Sequence, residues 1–184
     1  MQLPTGIQDH YPALLGGALE IRHRPGGEAV RPLPIDHEQL GRSLLVAFSG
    51  GSHLSAANNF EVVALRLRGD RATVARLSAI AEAAAAMASC LDAGDLAGAG
   101  RAMTAEWSAR RELSPVVSTP AIEQILGAAR DAGAWGGKVC GAGGGGCVAI
   151  LAPPERRDAV TRAIAALGVA LLDCWPTAHG LRLA

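Results

Sequence analysis

Apolar positions in the middle of the chain repeat every three to four residues, the period of one helix face. Between Asp70 and Gly94 they fall at Leu77, Ile80, Ala81, Ala84, Met87, Ala88 and Leu91. Aspartate caps helix N-termini well, and glycine commonly ends helices. The pattern predicts one long helix between Asp70 and Gly94.

Two further helices are predicted after the first. Asp95 begins the second, and its inward positions are Leu96, Ala99, Met103 and Trp107. We expect it to pack antiparallel to the first helix across a tight turn. Thr119 followed by Pro120 predicts the start of the third helix. Its inward positions are Ile122, Leu126 and Ala129, and Gly133 ends it.

Short apolar runs bounded by turn residues predict the strands. Residues 18–24 and 28–33 flank Pro25-Gly26-Gly27 and predict a hairpin. Apolar runs at 43–48 and 147–151 are typical of buried strands. Further strands are predicted at 138–140, 169–174 and 180–183, with a helix beginning at Pro154.

The predicted elements from residue 43 onward run strand, helices, strand, strand, helix, strand. This is the order of the ferredoxin-like split βαβ fold, with extra helices in the first crossover. The predicted fold class is therefore α+β, an antiparallel sheet covered by helices and preceded by a β-hairpin.

Composition excludes several classes of function. The 184 residues are 49% hydrophobic and 18% charged, which excludes disorder. A formal net charge of zero and 3% aromatic residues argue against a nucleic-acid partner. No apolar run approaches the roughly 20 residues of a membrane span, and the N-terminus lacks a signal-peptide pattern. We expect a cytoplasmic protein without a membrane partner, whose four cysteines are free thiols.

The densest glycine run is the segment 136–147, GGKVCGAGGGGC. Successive glycine amides can form an anion-binding nest. A flexible turn between two strands is an equally weighted alternative. The segment is not a Walker loop, because no Gly-Lys-Ser/Thr follows the glycines, and it is not a Rossmann fingerprint, because a strand follows it.

Two other segments are candidates for chemistry. In the segment 4–11, PTGIQDHY, the carboxylate of Asp9 could orient or deprotonate a hydroxyl group. The residues alone favour the alternative that Asp9 caps a helical turn. The segment 49–55, SGGSHLS, follows a predicted strand and could contact a ligand. Its alternative is an ordinary loop in which Ser55 caps the next helix.

These segments, in this order, resemble the C-terminal half of a GHMP-family small-molecule kinase, closest to the heptose-phosphate and fucose kinase branch. Residues 5–11 with Gly16-Gly17 match the segment that carries the catalytic aspartate. Residues 45–55 match the strand and substrate loop that open the C-terminal domain, and 137–146 match the C-terminal glycine motif. The resemblance implies that residues 1–35 end an N-terminal kinase domain and that 36–184 form the C-terminal domain.

The resemblance also implies roles for individual residues. Asp9 would act on the substrate hydroxyl that attacks the γ-phosphate of ATP. The residues facing a sugar or sugar phosphate would be Gln8, Tyr11, Ser52 and His53. The nucleotide phosphate loop would consist of Lys138, Gly141, Ala142, Gly143, Gly144 and Gly145. The branch usually has a basic residue at the position of His53.

ATP and Mg²⁺ are expected for the complete kinase. The family's main ATP loop and the Ser and Glu that hold Mg²⁺ belong to the N-terminal half, and this sequence does not contain them. We therefore expect the chain to be inactive alone, since those groups neutralise most of the transition-state charge. A non-catalytic sugar- or nucleotide-binding module, or a scaffold for assembly, are the alternatives. Without an N-terminal half, the edge of the hairpin and the preceding Leu14 and Leu15 would be exposed. Because exposed edges and apolar patches favour association, we expect a homo-oligomer or a separate N-terminal half as partner.

Overall fold

A computed structural model describes residues 7–50 and 56–182, without the side chains of 56–59. The helices are α1 His10–Leu15, α2 His37–Ser43, α3 Ala56–Leu67, α4 Arg71–Asp92, α5 Leu96–Arg110, α6 Pro120–Asp131 and α7 Arg157–Ala165. The strands are β1 Leu19–Arg24, β2 Gly27–Pro32, β3 Leu44–Phe48, β4 Gly136–Val139, β5 Cys147–Leu151 and β6 Ala170–Leu171. A 3-10 turn over Pro154–Arg156 leads into α7.

The central sheet has four antiparallel strands in the order β4-β5-β3-β6. β5 pairs with β3 from Leu44↔Leu151 to Phe48↔Cys147, and with β4 on its other side. Helices α3 to α6 lie in the crossover between β3 and β4. This order is that of a split βαβ sheet, so the predicted fold class is confirmed. The separate β1–β2 hairpin is also confirmed.

Alternate residues of the strands bury opposite faces of the sheet. Val148 and Ile150 of β5 pack with α6 and α7, around the fully buried Ile122. Leu151 faces the other way and packs with Met103 of α5. The sheet therefore lies between two helical layers, and its strands carry apolar side chains on both faces.

The edge strand β4 is covered by close contact with α5. A Cβ placed on Gly100 of α5 would lie 2.6 Å from the Cβ of Trp135, just before β4. A Cβ on Gly136 would meet the backbone of Gly100. Two glycines thus let the helix and strand backbones touch, so α5 packs closely on one face of β4.

The predicted inward face of α4 is partly wrong. Ala81 and Ala84 are exposed, whereas Ala83 is buried together with Ala88. An alanine run has nearly uniform hydropathy around the helix, so its periodicity does not identify the packed side. The α4 start at Asp70, whose carboxylate accepts from the Thr73 amide at 2.8 Å, is as predicted.

α4 is also long and apolar enough, by length and composition, to cross a membrane. Its most apolar window has a mean hydropathy of 1.4, and 11% of that window is buried. This contradicts the expectation that no segment of the chain passes such a test; the alanines raise the mean hydropathy. One such helix is weak evidence of a membrane span, and α4 packs along α5.

The C-terminal strap, residues 172–182, connects α1 to the rest of the domain. The Leu172 amide donates to the Val46 carbonyl at 2.8 Å, and the Gly17 amide donates to the Thr177 carbonyl at 3.0 Å. The Leu181 amide donates to the Ala13 carbonyl at 2.8 Å. The predicted strand at 180–183 is therefore wrong over its described residues, because they run along α1 and not within a sheet.

Candidate functional site

The glycine loop, residues 140–146, joins β4 to β5. Its five glycines all have φ between 74° and 147°, at Gly141, Gly143, Gly144, Gly145 and Gly146. Residues with a Cβ rarely adopt this part of backbone space. The glycine density of the sequence is thus explained by the conformation of the loop.

Hydrogen bonds hold the glycine loop from two sides. The Gly144 amide donates to the Val117 carbonyl at 2.6 Å, in the connection between α5 and α6. The Ser49 amide, just after β3, donates to the Gly146 carbonyl at 2.9 Å. A Cβ on Gly143 would lie 2.6 Å from the Val117 carbonyl oxygen. The loop is therefore held in a defined conformation, and the Gly144 amide is not available to a ligand.

Lys138, in β4 before the loop, is paired with a buried carboxylate. Its Nζ lies 2.8 Å from Oε2 of Glu106, whose side chain is 8% exposed. Arg110 lies one helical turn after Glu106 and donates to its Oε1 at 2.5 Å. This pairing attaches β4 to α5 and compensates the buried charge. Contact between Lys138 and a phosphate stays a prediction.

Sequence reasoning missed Glu106, although two signals pointed to it. Glu106 lies next to the inward Trp107 on α5, and Arg110 follows at the i+4 spacing of helix ion pairs. A carboxylate beside the packed face of a helix needs a cation, and Lys138 is the only lysine in the sequence.

Asp9 precedes α1 and its side chain makes no capping hydrogen bond. The capping role that the residues alone favoured is therefore not what the structure shows. Asp9 and Gln8 are exposed. The Tyr11 hydroxyl donates to Glu28 Oε2 of β2 at 3.5 Å, at the long limit of hydrogen bonding.

The structure brings two of the three predicted segments together. Ser49 joins the start of the predicted substrate loop to Gly146 of the glycine loop. Ser52 and His53 lie outside the described residues. The hydrogen bonds at the end of α1 lead to the strap. In residues 7–50 and 56–182, no hydrogen bond connects the Asp9 segment directly to the glycine loop.

A separate cavity of about 540 Å³ lies between α5 and α6. Trp107 and Trp135 line it, together with three arginines, Arg101, Arg111 and Arg130. Each of the three arginines forms an ion pair with a carboxylate. Of the predicted site residues that the structure describes, none lines this cavity. In the described part of the chain, no group of three His, Cys, Asp or Glu side chains could hold a metal ion.

Comparison with known protein families identifies the domain to which the glycine loop belongs. The family described as "GHMP kinases C terminal" matches residues 83–170, from the middle of α4 to β6, including the whole glycine loop. The chain contains a GHMP kinase C-terminal domain. The predicted resemblance is thereby confirmed, and the antiparallel sheet with its helices is the fold of this domain.

Relatives of this GHMP domain include both sugar kinases and mevalonate kinases. A galactokinase of Mycobacterium tuberculosis is 31% identical over 201 residues, which covers 90% of this chain and 54% of the galactokinase. The structure of L. major mevalonate kinase in complex with R-mevalonate superposes with a TM-score of 0.72 at 25% identity, over 82% of this chain and 45% of that one.

A further structure shares the fold of the GHMP domain. A D-glycero-D-manno-heptose 1-phosphate kinase from Bacteriodes thetaiotaomicron has a TM-score of 0.63 at 20% identity, over 96% of this chain and 48% of that chain. The chain thus spans about half the length of each of these three proteins.

Proposed function

We propose that this GHMP domain is the C-terminal portion of an ATP-dependent kinase that phosphorylates a hydroxyl of a sugar or sugar phosphate. The observation that carries the proposal is the glycine loop. It presents backbone at positive φ between two strands and is held by Val117 and Ser49. Amides of a glycine loop suit a phosphate, because each N–H carries a partial positive charge and the glycines have no side chain to block the approach.

The proposed division of labour follows from the two described segments. The glycine loop, with Lys138, Gly141, Ala142, Gly143 and Gly145, lies beside the nucleotide phosphates. Asp9 accepts the proton of the acceptor hydroxyl or orients it, because its carboxylate is exposed and makes no capping bond. In phosphoryl transfer the protein mainly positions the reactants and compensates their charge. A glycine loop held in a fixed conformation and one carboxylate are suited to these two tasks.

The proposal assigns the remaining machinery to an N-terminal half. In this division, residues 1–35 end the N-terminal domain and residues 36–184 form the C-terminal domain. The main ATP loop and the Mg²⁺ ligands lie on the other half, which is consistent with the relatives being about twice as long. The complete kinase acts in the cytoplasm.

The exposed apolar side chains of α1 support a partner on this surface. Leu14 and Leu15 are 56% and 57% exposed. An N-terminal half, or a second copy of this chain, covers them in the proposed assembly. A monodisperse monomer at micromolar concentration, without the N-terminal half, would exclude the homo-oligomer.

A sugar is proposed as the substrate, in preference to mevalonate, on two grounds. The galactokinase aligns with 90% of this chain. The residues proposed to face the acceptor, Gln8, Tyr11, Ser52 and His53, carry hydrogen-bonding groups that suit a polyol.

ATP turnover tests the proposal. The chain is assayed alone and with the N-terminal half of a heptose-phosphate kinase, against sugars, sugar phosphates and mevalonate. We expect turnover of a sugar only when both halves are present. Asp9→Asn should lower it about 10²–10⁴-fold, the usual contribution of a general base. Asp158→Asn, an exposed aspartate on α7, is the matched control and should leave the rate unchanged.

The other outcomes decide between the alternatives. Turnover by the chain alone would refute the assignment of the phosphate site to another half. Turnover of mevalonate but of no sugar would refute the substrate class. Tight binding of a sugar or nucleotide without turnover in either arrangement would favour a non-catalytic binding module.

A further inference from the structure

Two cysteines stand opposite each other at the base of the glycine loop. Cys140 directly follows β4 and Cys147 begins β5. The β4–β5 register pairs Val139 with Val148, so the next pair of the ladder is Cys140 with Cys147. The Cys140 amide donates to the Cys147 carbonyl at 2.8 Å, which shows that the ladder continues to this pair.

Directly opposed residues of an antiparallel pair project to the same face of the sheet, with Cβ atoms about 4.5–5.5 Å apart. A disulfide requires a Cβ separation of about 3.5–4.5 Å. Cys140 and Cys147 form a hydrogen-bonded pair of the ladder, whose Cβ atoms lie toward the wider end of the range for opposed residues. The strand ends must therefore approach each other by about 1–2 Å. Gly141 and Gly146 border the pair, and no atom lies within 4 Å of the Cβ positions of either. The space beside Gly141 and Gly146 is open to this movement, while the hydrogen bonds of Gly144 and Gly146 hold the rest of the loop.

The Cys140 side chain is exposed and that of Cys147 is partly buried. Partial desolvation raises the pKa of the Cys140 thiol, and the proximity of Cys147 raises it further, while Lys138 opposes both effects. The raised pKa reduces the thiolate fraction at neutral pH, so oxidation of the pair is tested at mildly alkaline pH. Cys174 of the strap adds a smaller increase, so it is the competing partner that an experiment must exclude. Cys90 lies on α4 and packs against Met103 and Leu151.

We propose that Cys140 and Cys147 form an oxidation site at which a peroxide creates a disulfide across the base of the glycine loop. One thiolate sulfur attacks a peroxide oxygen, the O–O bond breaks, and a sulfenic acid and hydroxide result. The second sulfur then attacks the sulfenic sulfur, the S–S bond forms, and the hydroxyl leaves as water. Overall, two thiols and one hydrogen peroxide give one disulfide and two waters.

The disulfide would enclose every left-handed glycine of the loop in one small covalent ring. Such a ring restricts the conformations of the loop amides. Oxidation of this site would thereby change how the loop binds an anion. The chemistry of the site does not depend on the kinase proposal, since it rests only on the ladder and on the two thiols.

Peptide mapping of the full chain tests the oxidation site. The reduced protein is treated with hydrogen peroxide at mildly alkaline pH, alkylated with iodoacetamide, and digested with trypsin without reduction. Cleavage after Lys138 and Arg156 places both cysteines in the peptide 139–156. We expect this peptide to lose two hydrogen atoms in mass and to escape alkylation. The peptide containing Cys90 should remain alkylated.

Variants assign the cross-link to the proposed pair. Cys147→Ser should abolish the mass loss, whereas Cys90→Ser and Cys174→Ser should retain it. Circular dichroism verifies that each variant is folded, and the wild-type alkylation pattern gives a result that needs no variant. Full alkylation of both thiols after peroxide treatment would overturn the proposal. So would a cross-link that maps to Cys174 or that joins two chains.

Discussion

The body of the domain, residues 44–171, and the N-terminal segment, residues 7–35, are held in place by different forces. The body buries large apolar side chains completely, among them Ile122, Ile150 and Ile164. Within residues 7–35, Leu33 is the only buried apolar side chain, and Leu14 and Leu15 are more than half exposed. Polar contacts attach the segment to the body instead.

The polar contacts of the segment are few and specific. Arg31 of β2 donates to both carboxylate oxygens of Asp92, at the end of α4, at 2.8 and 2.7 Å. The strap holds α1 through backbone hydrogen bonds at Ala13 and Gly17. The glycine loop is thus positioned by a close-packed core, whereas the position of Asp9 depends on exposed contacts. A partner surface packed against the N-terminal segment would add to the contacts that position Asp9.

Deleting core volume should have the largest effect on stability. Ile122→Ala is expected to lower the free energy of unfolding by about 2–5 kcal/mol, because it leaves a cavity in a fully buried site. Leu14→Ala, in the N-terminal segment, should change it by less than about 0.5 kcal/mol. Urea denaturation of both variants measures the difference. Similar losses in the two variants would contradict the contrast between body and segment.

Two glycines at interior positions of helices should respond to alanine in opposite directions. Gly100→Ala places a Cβ against Trp135, so we expect destabilisation of about 1–3 kcal/mol from overpacking. Gly127 of α6 has no atom within 4 Å of its Cβ position, and Gly127→Ala should stabilise by about 0.5–1 kcal/mol through helix propensity. Thermal denaturation of the pair measures both. Equal shifts would show that α5 and β4 are not in backbone contact.

Weakening the strap should affect α1 and leave the core unchanged. A Cβ on Gly41 of α2 would run into the indole of Trp175, so the two residues are in close contact. Trp175→Ala removes this contact. We expect faster amide exchange in α1 and unchanged exchange in β5, measured by hydrogen exchange and mass spectrometry. Uniformly faster exchange would indicate that the strap supports the whole domain.

The smallest of these effects is expected from acidification, which should loosen the attachment of the β1–β2 hairpin to the body. Arg22 and Arg31 lower the pKa of Glu20 below its ordinary value of 4.5, and Arg31 lowers that of Asp92 below 3.8. A depressed pKa in the folded state means that the carboxylates stabilise the fold at neutral pH, and that this stabilisation is lost as the pH falls through the lowered values.

Amide exchange of β1 and β2, corrected for the intrinsic effect of pH, should therefore accelerate below about pH 4 more than that of β5. Asp92→Asn should show part of this acceleration already at pH 7. If the hairpin and β5 responded equally to pH, the ion pairs would not be what attaches the hairpin.

Much of the body could be predicted from the sequence, because its signals are local. The run Cys147–Leu151 is a strand as predicted, and Asp70, Asp95 and Thr119 cap their helices as predicted. What the sequence could not provide depends on contacts between distant segments. The strap along α1 looked like a strand, and the packed side of α4 is hidden in its alanine run.

The candidate site shows the same limit. The glycine loop was found from composition, but its attachment to Val117 and the pairing of Lys138 with Glu106 arise only when α5 packs on β4. The i, i+4 spacing of Glu106 and Arg110 is a local signal, but which distant residues contact Glu106 and the glycine loop is not encoded locally. The roles of Asp9, Gln8 and Tyr11 rest on a resemblance, and the structure adds that the Asp9 carboxylate is exposed and uncapped.

Hydrogen exchange of the whole chain, alone and with an N-terminal kinase half added, tests most directly whether the N-terminal segment depends on a partner. We expect slow exchange in β5 and α6 in both states. We expect fast exchange in α1 and in the β1–β2 hairpin for the chain alone, and protection of both when the N-terminal half binds. If α1 and the hairpin were already as protected as β5 in the isolated chain, the distinction between a self-sufficient body and a dependent N-terminal segment would be wrong.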